Sequence, residues 1–127
     1  MNGIANITIN GNIVRLKFGL PAVKRIFEKM AGPEQMTEQE GDEKRYTYFG
    51  MAQILFAGYC NGCLLEEKVP SLAFEDFYEF IEQYAFDQTG EKEITDALRA
   101  FEESRFVKNA AEKTRAEEKK SALKQSH

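Results

Sequence analysis

The fold depends on a stretch near the N-terminus, Ile7-Thr8-Ile9-Asn10-Gly11-Asn12-Ile13-Val14-Arg15-Leu16-Lys17-Phe18, which predicts a β-hairpin. Asn10 and Gly11 both tolerate positive φ, which a tight type I′ turn requires at its two central positions. After the turn, apolar and basic side chains alternate, so one face of the second strand is apolar and the other is basic. The apolar residues are Val14, Leu16 and Phe18, and the basic ones are Arg15 and Lys17.

A helix is predicted directly after the hairpin. Gly19-Leu20-Pro21 ends the strand, and Pro21 suits the first helical position because the N–H that it lacks would be unpaired there anyway. A helical stripe of apolar residues follows: Ala22, Val23, Ile26, Phe27 and Met30. Two isolated strands are only marginally stable, so we expect the hairpin to pack on helices.

The composition indicates one soluble domain. A chain of 127 residues with 43% hydrophobic residues is long enough and apolar enough to form a core. No basic region followed by an apolar run opens the chain, and the cysteines number only two, so we expect a reducing cytoplasmic location. No run approaches the ~18 apolar residues of a membrane span. The net charge of −4 disfavours nucleic acid as a partner.

The charge is distributed unevenly along the chain. Residues 66–106 contain twelve acidic and four basic side chains, whereas residues 1–36 and 107–127 are each net basic. The acidic block has two interpretations. It forms ordinary solvated faces, or it is a docking surface for a basic partner.

The middle of the chain contains a polar segment followed by an uncharged one. Residues 32–45 offer no apolar periodicity and predict a mobile linker. Residues 46–65 carry no charge and predict a helix that is apolar nearly all round, either central to the core or shared with a partner. We expect Asn61-Gly62 to end or kink it. Because this helix has more apolar circumference than a thin domain covers, we also expect self-association.

A helical wheel divides the apolar side chains of the uncharged segment into two groups. Phe49, Phe56, Cys60 and Leu64 share one side. Met51, Leu55 and Tyr59 point largely elsewhere and are candidate partner-binding residues.

An acidic, aromatic helix is predicted next. Ser71 is a suitable N-cap, and Glu75 and Asp76 in the first turn favour the helix dipole. One stripe should face the core: Phe74, Phe77, Tyr78, Ile81, Tyr84 and Ala85. Phe80 and Phe86 fall outside the stripe, so we expect them to be exposed anchors for a partner.

The last predicted core helix runs from residue 91 to 107, with Ile94, Ala97, Leu98, Phe101 and Phe106 near one side. The expected fold is therefore α+β and mostly helical, with the N-terminal hairpin packed on about four helices. Residues 1–107 form one domain, and residues 108–127 form a charged, flexible, partly disordered helical tail, because they have no apolar face to bury.

Side chains that carry catalytic chemistry are scarce. The single histidine is the terminal His127, which nothing would hold in place as a general base. Cys60 and Cys63 match a Cys-x-x-Cys pattern but fall near the end of an apolar helix, which favours two small apolar core residues. A redox pair belongs at a helix start after a strand, and a zinc site would need two further ligands from a second copy. We expect no enzyme activity, metal or cofactor.

The chain resembles the tail assembly chaperones of long-tailed phages over residues 4–86. Those proteins often open with a "T-I-N-G-K-x-Y-x-L-K-F-G"-like hairpin feeding a helix, similar to Ile7–Leu20 here. A mostly uncharged helix at Met51–Leu64 follows, and then a Pro70-Ser71 start leading into an acidic, aromatic helix. The insertion at residues 33–45 and the two cysteines depart from the family's pattern.

The resemblance implies a non-catalytic protein of the infected bacterium's cytoplasm. Such chaperones coat the long, apolar tape-measure protein and help recruit tail-tube subunits before the tube polymerises. Many are made in two lengths by a programmed ribosomal frameshift. The alternative functions are a small structural tail-completion or connector protein of the virion, and a cytoplasmic adaptor unrelated to phages.

Overall fold

The structure, a computed structural model, describes residues 3–29 and 37–104 and contains the predicted N-terminal hairpin. Strand β1 (Ile4–Ile9) pairs antiparallel with β2 (Asn12–Lys17), with Ile7 opposite Val14. Asn10 has φ of 52° and Gly11 has φ of 79°, so both central turn residues are left-handed as the type I′ turn requires. Side chains alternate between a buried and an exposed face.

Helix α1 (Leu20–Lys29) follows as predicted, one residue earlier than expected. Pro21 is its second residue and still lies in the first turn, where a missing N–H is tolerated. The Val23 N–H donates to the Gly19 carbonyl at 3.0 Å. Of the predicted stripe, Ala22, Val23 and Ile26 are buried, and Met30 lies outside the described residues.

The predicted linker contains a second hairpin, so the expectation of an unstructured loop is wrong for its C-terminal part. Strand β3 (Thr37–Glu40) pairs with β4 (Glu43–Tyr46), and Gly41 adopts a φ of 64° at the turn. Tyr46 anchors the hairpin, since its ring packs edge-on against Phe101 and its hydroxyl donates to Glu102 Oε1 at 2.8 Å. The strands are short and largely exposed, so apolar alternation does not mark them.

Helix α2 (Tyr48–Leu65) is the centre of the fold. The Thr47 hydroxyl caps it by accepting from the Gly50 N–H at 2.9 Å. Eleven of its residues are buried, and it packs against α1, β2 and helix α3 (Phe74–Asp87). The core-helix interpretation is therefore confirmed for the middle of α2. The apolar surface of its middle is covered within the chain, whereas Phe49, Leu64 and Leu65 near its two ends are exposed, so self-association stays a prediction.

Asn61-Gly62 does not end α2, contrary to expectation, because both residues serve its close approach to β2 inside the helix. Asn61 Nδ2 donates to the Lys17 carbonyl at 2.8 Å. A Cβ at Gly62 would lie 3.3 Å from the Arg15 carbonyl oxygen. The helix continues to Leu65.

Helix α3 begins two residues later than a Ser71 N-cap would place it. Ala73 is the N-cap, and its N–H donates to Asp76 Oδ2 at 2.8 Å. The N–H groups of Ser71 and Leu72 instead donate to the Tyr59 hydroxyl at 2.7 and 3.1 Å. A tertiary contact with α2 therefore replaces the local cap.

A fourth helix, α4 (residues 91–104), packs against the N-terminal hairpin. Phe101 is fully buried and meets the Phe18 ring edge-on at a centroid distance of 5.8 Å. The Glu93 carboxylate accepts from the Thr8 N–H on the outer edge of β1. Over the residues that the structure describes, the α+β, mostly helical architecture of an N-terminal hairpin with four helices is as predicted. The predicted tail at residues 108–127 lies outside the described residues.

Candidate protein-docking surface

Two of the five predicted partner-binding residues are core residues, so the expectation that they face a partner is wrong. Leu55 is fully buried, and Tyr59 is 8% exposed with its hydroxyl bound by two backbone N–H groups. Both lie in the middle of α2, where the hairpin, α1 and α3 cover the helix on several sides. A helical wheel cannot reveal that a helix is covered on more than one face.

Met51 and Phe80 are half-buried and pack against the core, so Phe80 is not the exposed anchor that was expected. A Cβ at Gly90 would lie 2.9 Å from the Phe80 ring, which places that ring against the turn leading into α4. Phe86, in contrast, is 87% exposed as predicted. Its exposure fits the expected role, and its contact with a partner stays a prediction.

A groove between the start of α2 and the outer face of α3 combines aromatic and acidic side chains. Its volume is about 410 Å³. The lining residues are Phe49, Phe74, Glu75, Tyr78, Glu79 and Glu82. We call this site the aromatic–acidic groove.

The aromatic part of the groove is held by ring packing. Phe74 lies between Phe49 and Tyr78, with centroid distances of 5.6 and 6.0 Å. Phe56 of α2 supports Phe74 from the core side at 5.9 Å. Phe49 remains 40% exposed, and Phe74 and Tyr78 are half-buried. Phe49 and Phe56 both meet Phe74 edge-to-face, and such contacts add stability beyond area burial, so ring packing holds the apolar surface that the groove presents to solvent.

The acidic part of the groove follows the geometry of α3. Glu75, Glu79 and Glu82 recur at helical spacing, so they line one face of the helix. All three are exposed, and none forms an ion pair with a residue that the structure describes. Helix α3 contains five carboxylates and no basic residue. Among residues 3–29 and 37–104, therefore, no ion pair offsets the negative charge beside the rings.

A second concave surface lies between the hairpin turn and the C-terminal end of α2, with a volume of about 380 Å³. Ile13 and Val69 on its rim are 78% and 90% exposed. Its carboxylate, Glu66, pairs with Lys17 and Lys68, each at 3.3 Å. Hydrogen bonds from Lys17 and then Lys68 hold the pKa of Glu66 below its usual range. The negative charge of Glu66 is thus paired within the chain, whereas the carboxylates of the aromatic–acidic groove have no ion pair with a described residue.

The two cysteines lie in the last turns of α2, and both are buried and outside any disulfide. This placement matches two small apolar helix residues rather than the helix start of a redox pair. In residues 3–29 and 37–104, no three His, Cys, Asp or Glu side chains group so that they could hold a metal ion. Within the same ranges, no helix has the length and apolarity needed to cross a membrane.

Comparison with protein families, curated proteins and solved structures found no match to this chain. The aromatic–acidic groove is not apparent from the sequence, because apolar periodicity places Phe74 and Tyr78 on the core-facing stripe of α3. A signal was nevertheless present in the sequence. Glu75, Glu79 and Glu82 mark one solvent face of a helix, and Tyr78 falls on the same face.

Proposed function

We propose that this protein is a non-catalytic assembly chaperone of the bacterial cytoplasm, which binds the tape-measure protein and helps recruit tail-tube subunits during phage tail morphogenesis. The observation that supports this most strongly is the aromatic–acidic groove. It offers aromatic surface at Phe49, Phe74 and Tyr78 beside three exposed carboxylates that form no ion pair with a described residue.

A chaperone that keeps an apolar client in solution needs two properties at one surface. It needs apolar area to contact the client, and it needs charge to keep the complex soluble. The groove supplies the apolar area, and the acidic face of α3 supplies the charge. The order of elements adds support, because hairpin, uncharged helix and acidic aromatic helix follow one another as in the chaperones that the sequence resembles.

Co-expression tests the proposal. A long, apolar, helical segment of the tape-measure protein from the same genome is produced with and without this chain, and its soluble fraction is measured. We expect the segment to be insoluble alone and soluble with the chain. Failure to solubilise any such segment would contradict the proposal. Finding the chain in mature particles would favour the structural tail-completion or connector alternative.

A further inference from the structure

We propose that the aromatic–acidic groove is a docking site for one amphipathic, basic helix of the partner, whose apolar side chains contact the rings and whose Lys or Arg side chains pair with Glu75, Glu79 and Glu82. The identification of that helix as part of the tape-measure protein rests on the proposed function. The chemistry of the site itself does not depend on the proposed function.

The spacing of the groove's lining residues suits a helix. Its lining residues on α3 are spaced three and four apart, so they form a ridge along that helix, with Phe49 of α2 facing them. A second helix lying along this ridge would place its own residues three and four apart against the same rings. Helix-in-groove recognition works in this way, with a few apolar anchors at helical spacing.

The charge of the groove selects a basic helix. Three exposed carboxylates border the rings, and no described basic side chain neutralises them. A Lys or Arg of the partner would meet a carboxylate and an aromatic face together, and cations bind favourably to both. A helix with acidic residues at those positions would be repelled.

Two other occupants of the groove are less suitable. They are the C-terminal segment of this chain and the same groove of a second copy. Residues 108–127 are basic, but Leu123 is their only large apolar residue, so they offer little to contact the rings. Two copies meeting groove to groove would bring Glu75, Glu79 and Glu82 against the same residues of the other copy. A partner helix that is both apolar and basic complements the rings and the carboxylates together.

Peptide binding to the full chain tests the site. The probe is a labelled amphipathic peptide of about 18 residues, long enough for five helical turns, with Leu on one face and Lys along its borders. The comparison peptide has Glu in place of every Lys. We expect fluorescence anisotropy to show at least tenfold tighter binding of the Lys peptide, with an advantage that shrinks as salt is raised.

Matched variants distinguish peptide binding at the groove from attraction to the net charge of the protein. Glu75→Gln/Glu79→Gln/Glu82→Gln removes three charges at the groove, and Glu67→Gln/Glu91→Gln/Glu103→Gln removes three exposed charges elsewhere. We expect the groove variant to bind the Lys peptide about tenfold more weakly and the control variant to change binding less than threefold. Equal losses in both variants would overturn the proposal, because they would show attraction to net charge alone.

The apolar contact has its own variant pair. Phe49→Ala removes a groove ring, and Leu65→Ala removes an exposed apolar side chain at the far end of α2. We expect only Phe49→Ala to weaken peptide binding, by about tenfold, in a protein whose circular dichroism spectrum is unchanged. If Phe49→Ala disturbs the spectrum, Phe49→Leu serves in its place. Unchanged affinity in the folded groove variant would overturn the proposal.

The outcomes also distinguish this site from the proposed function. Groove-dependent peptide binding without solubilisation of any tape-measure segment would keep the site and contradict the function. Solubilisation that is unaffected by the groove variants would keep the function and contradict the site.

Discussion

Gly58 shows how a single absent side chain positions the central helix. A Cβ at this position would lie 2.6 and 2.7 Å from two atoms of the Phe18 ring and 3.2 Å from Leu16 Cβ. The Phe18 ring cannot easily yield, because it is buried against Phe101. The close approach of α2 to the hairpin therefore depends on glycine at this point.

We predict that Gly58→Ala lowers the free energy of unfolding by about 1–2 kcal/mol. Alanine favours a helix over glycine by about 1 kcal/mol, but overpacking of a core costs about 1–3 kcal/mol and prevails here. Urea denaturation measures the change. Adding Phe18→Leu should recover part of the loss, since the two changes share one contact. A stabilised Gly58→Ala protein would show that α2 has room to move away from β2.

Glu66 connects the end of α2 to the hairpin through charge. It pairs with Lys17 at 3.3 Å and with Arg15 at 3.7 Å, as well as with its neighbour Lys68. The lysine hydrogen bonds lower the pKa of Glu66 from its ordinary value of 4.5. A carboxyl with a lowered pKa in the folded state stabilises the fold above its ordinary pKa. That contribution is lost as the pH falls through the lowered value.

We therefore predict that Glu66→Gln reduces the thermal midpoint at pH 7, and that the difference from wild type shrinks as the pH falls below about 4.5. Glu67→Gln is the matched control, because Glu67 is exposed and has no ion pair with a described residue. Thermal unfolding at pH 7 and pH 3 measures both. A Glu66→Gln deficit that is equally large at both pH values would contradict an ionic origin.

At the scale of elements, α3 presents two phenylalanines with opposite environments. Phe80 packs on the core and against the Gly90 turn, whereas Phe86 is 87% exposed. We predict that Phe80→Ser lowers the free energy of unfolding by about 1–3 kcal/mol, whereas Phe86→Ser changes it by less than about 0.5 kcal/mol. Chemical denaturation of the two variants measures this. Equal stability of both variants would show that Phe80 does not pack as described.

Elements that depend on local chemistry were predictable from the sequence. Asn10-Gly11 specifies its turn almost alone, and the uncharged run specifies a helix that needs burial. The β3–β4 hairpin was missed because its strands are short and mostly exposed, so their sequence lacks the alternation that marks a buried face. Its anchor, Tyr46 on Phe101, joins residues distant in sequence.

The predictions of helix boundaries and of exposed sites were wrong for a related reason. Local propensity predicts a helix end at Asn61-Gly62. Both residues nevertheless lie inside α2, where the helix closely approaches β2. Ser71 reads as a cap, yet its N–H binds Tyr59. For the groove, the sequence reveals the carboxylate face of α3. The position of Phe49 beside that face depends on how α2 and α3 pack.

At the scale of the whole molecule, apolar side chains are exposed in more than one place. Phe49 borders the aromatic–acidic groove, and Ile13, Leu64, Leu65 and Val69 are exposed around the hairpin turn and the end of α2. Self-association stays a prediction, and it now depends on these residues rather than on the middle of α2. A client held at the aromatic–acidic groove would leave the surface around the hairpin turn and the end of α2 available for a further contact.

The central claim is that the aromatic–acidic groove keeps a client in solution. Its most direct test measures the soluble fraction of a co-expressed tape-measure segment with wild-type protein, with Glu75→Gln/Glu79→Gln/Glu82→Gln, and with the control Glu67→Gln/Glu91→Gln/Glu103→Gln, all at equal protein levels. The account predicts a soluble segment with the wild type and the control, and a soluble fraction at least several-fold lower with the groove variant, because only that variant removes the charges beside the rings. Equal solubility with all three proteins, or an insoluble segment with the wild type, would contradict it.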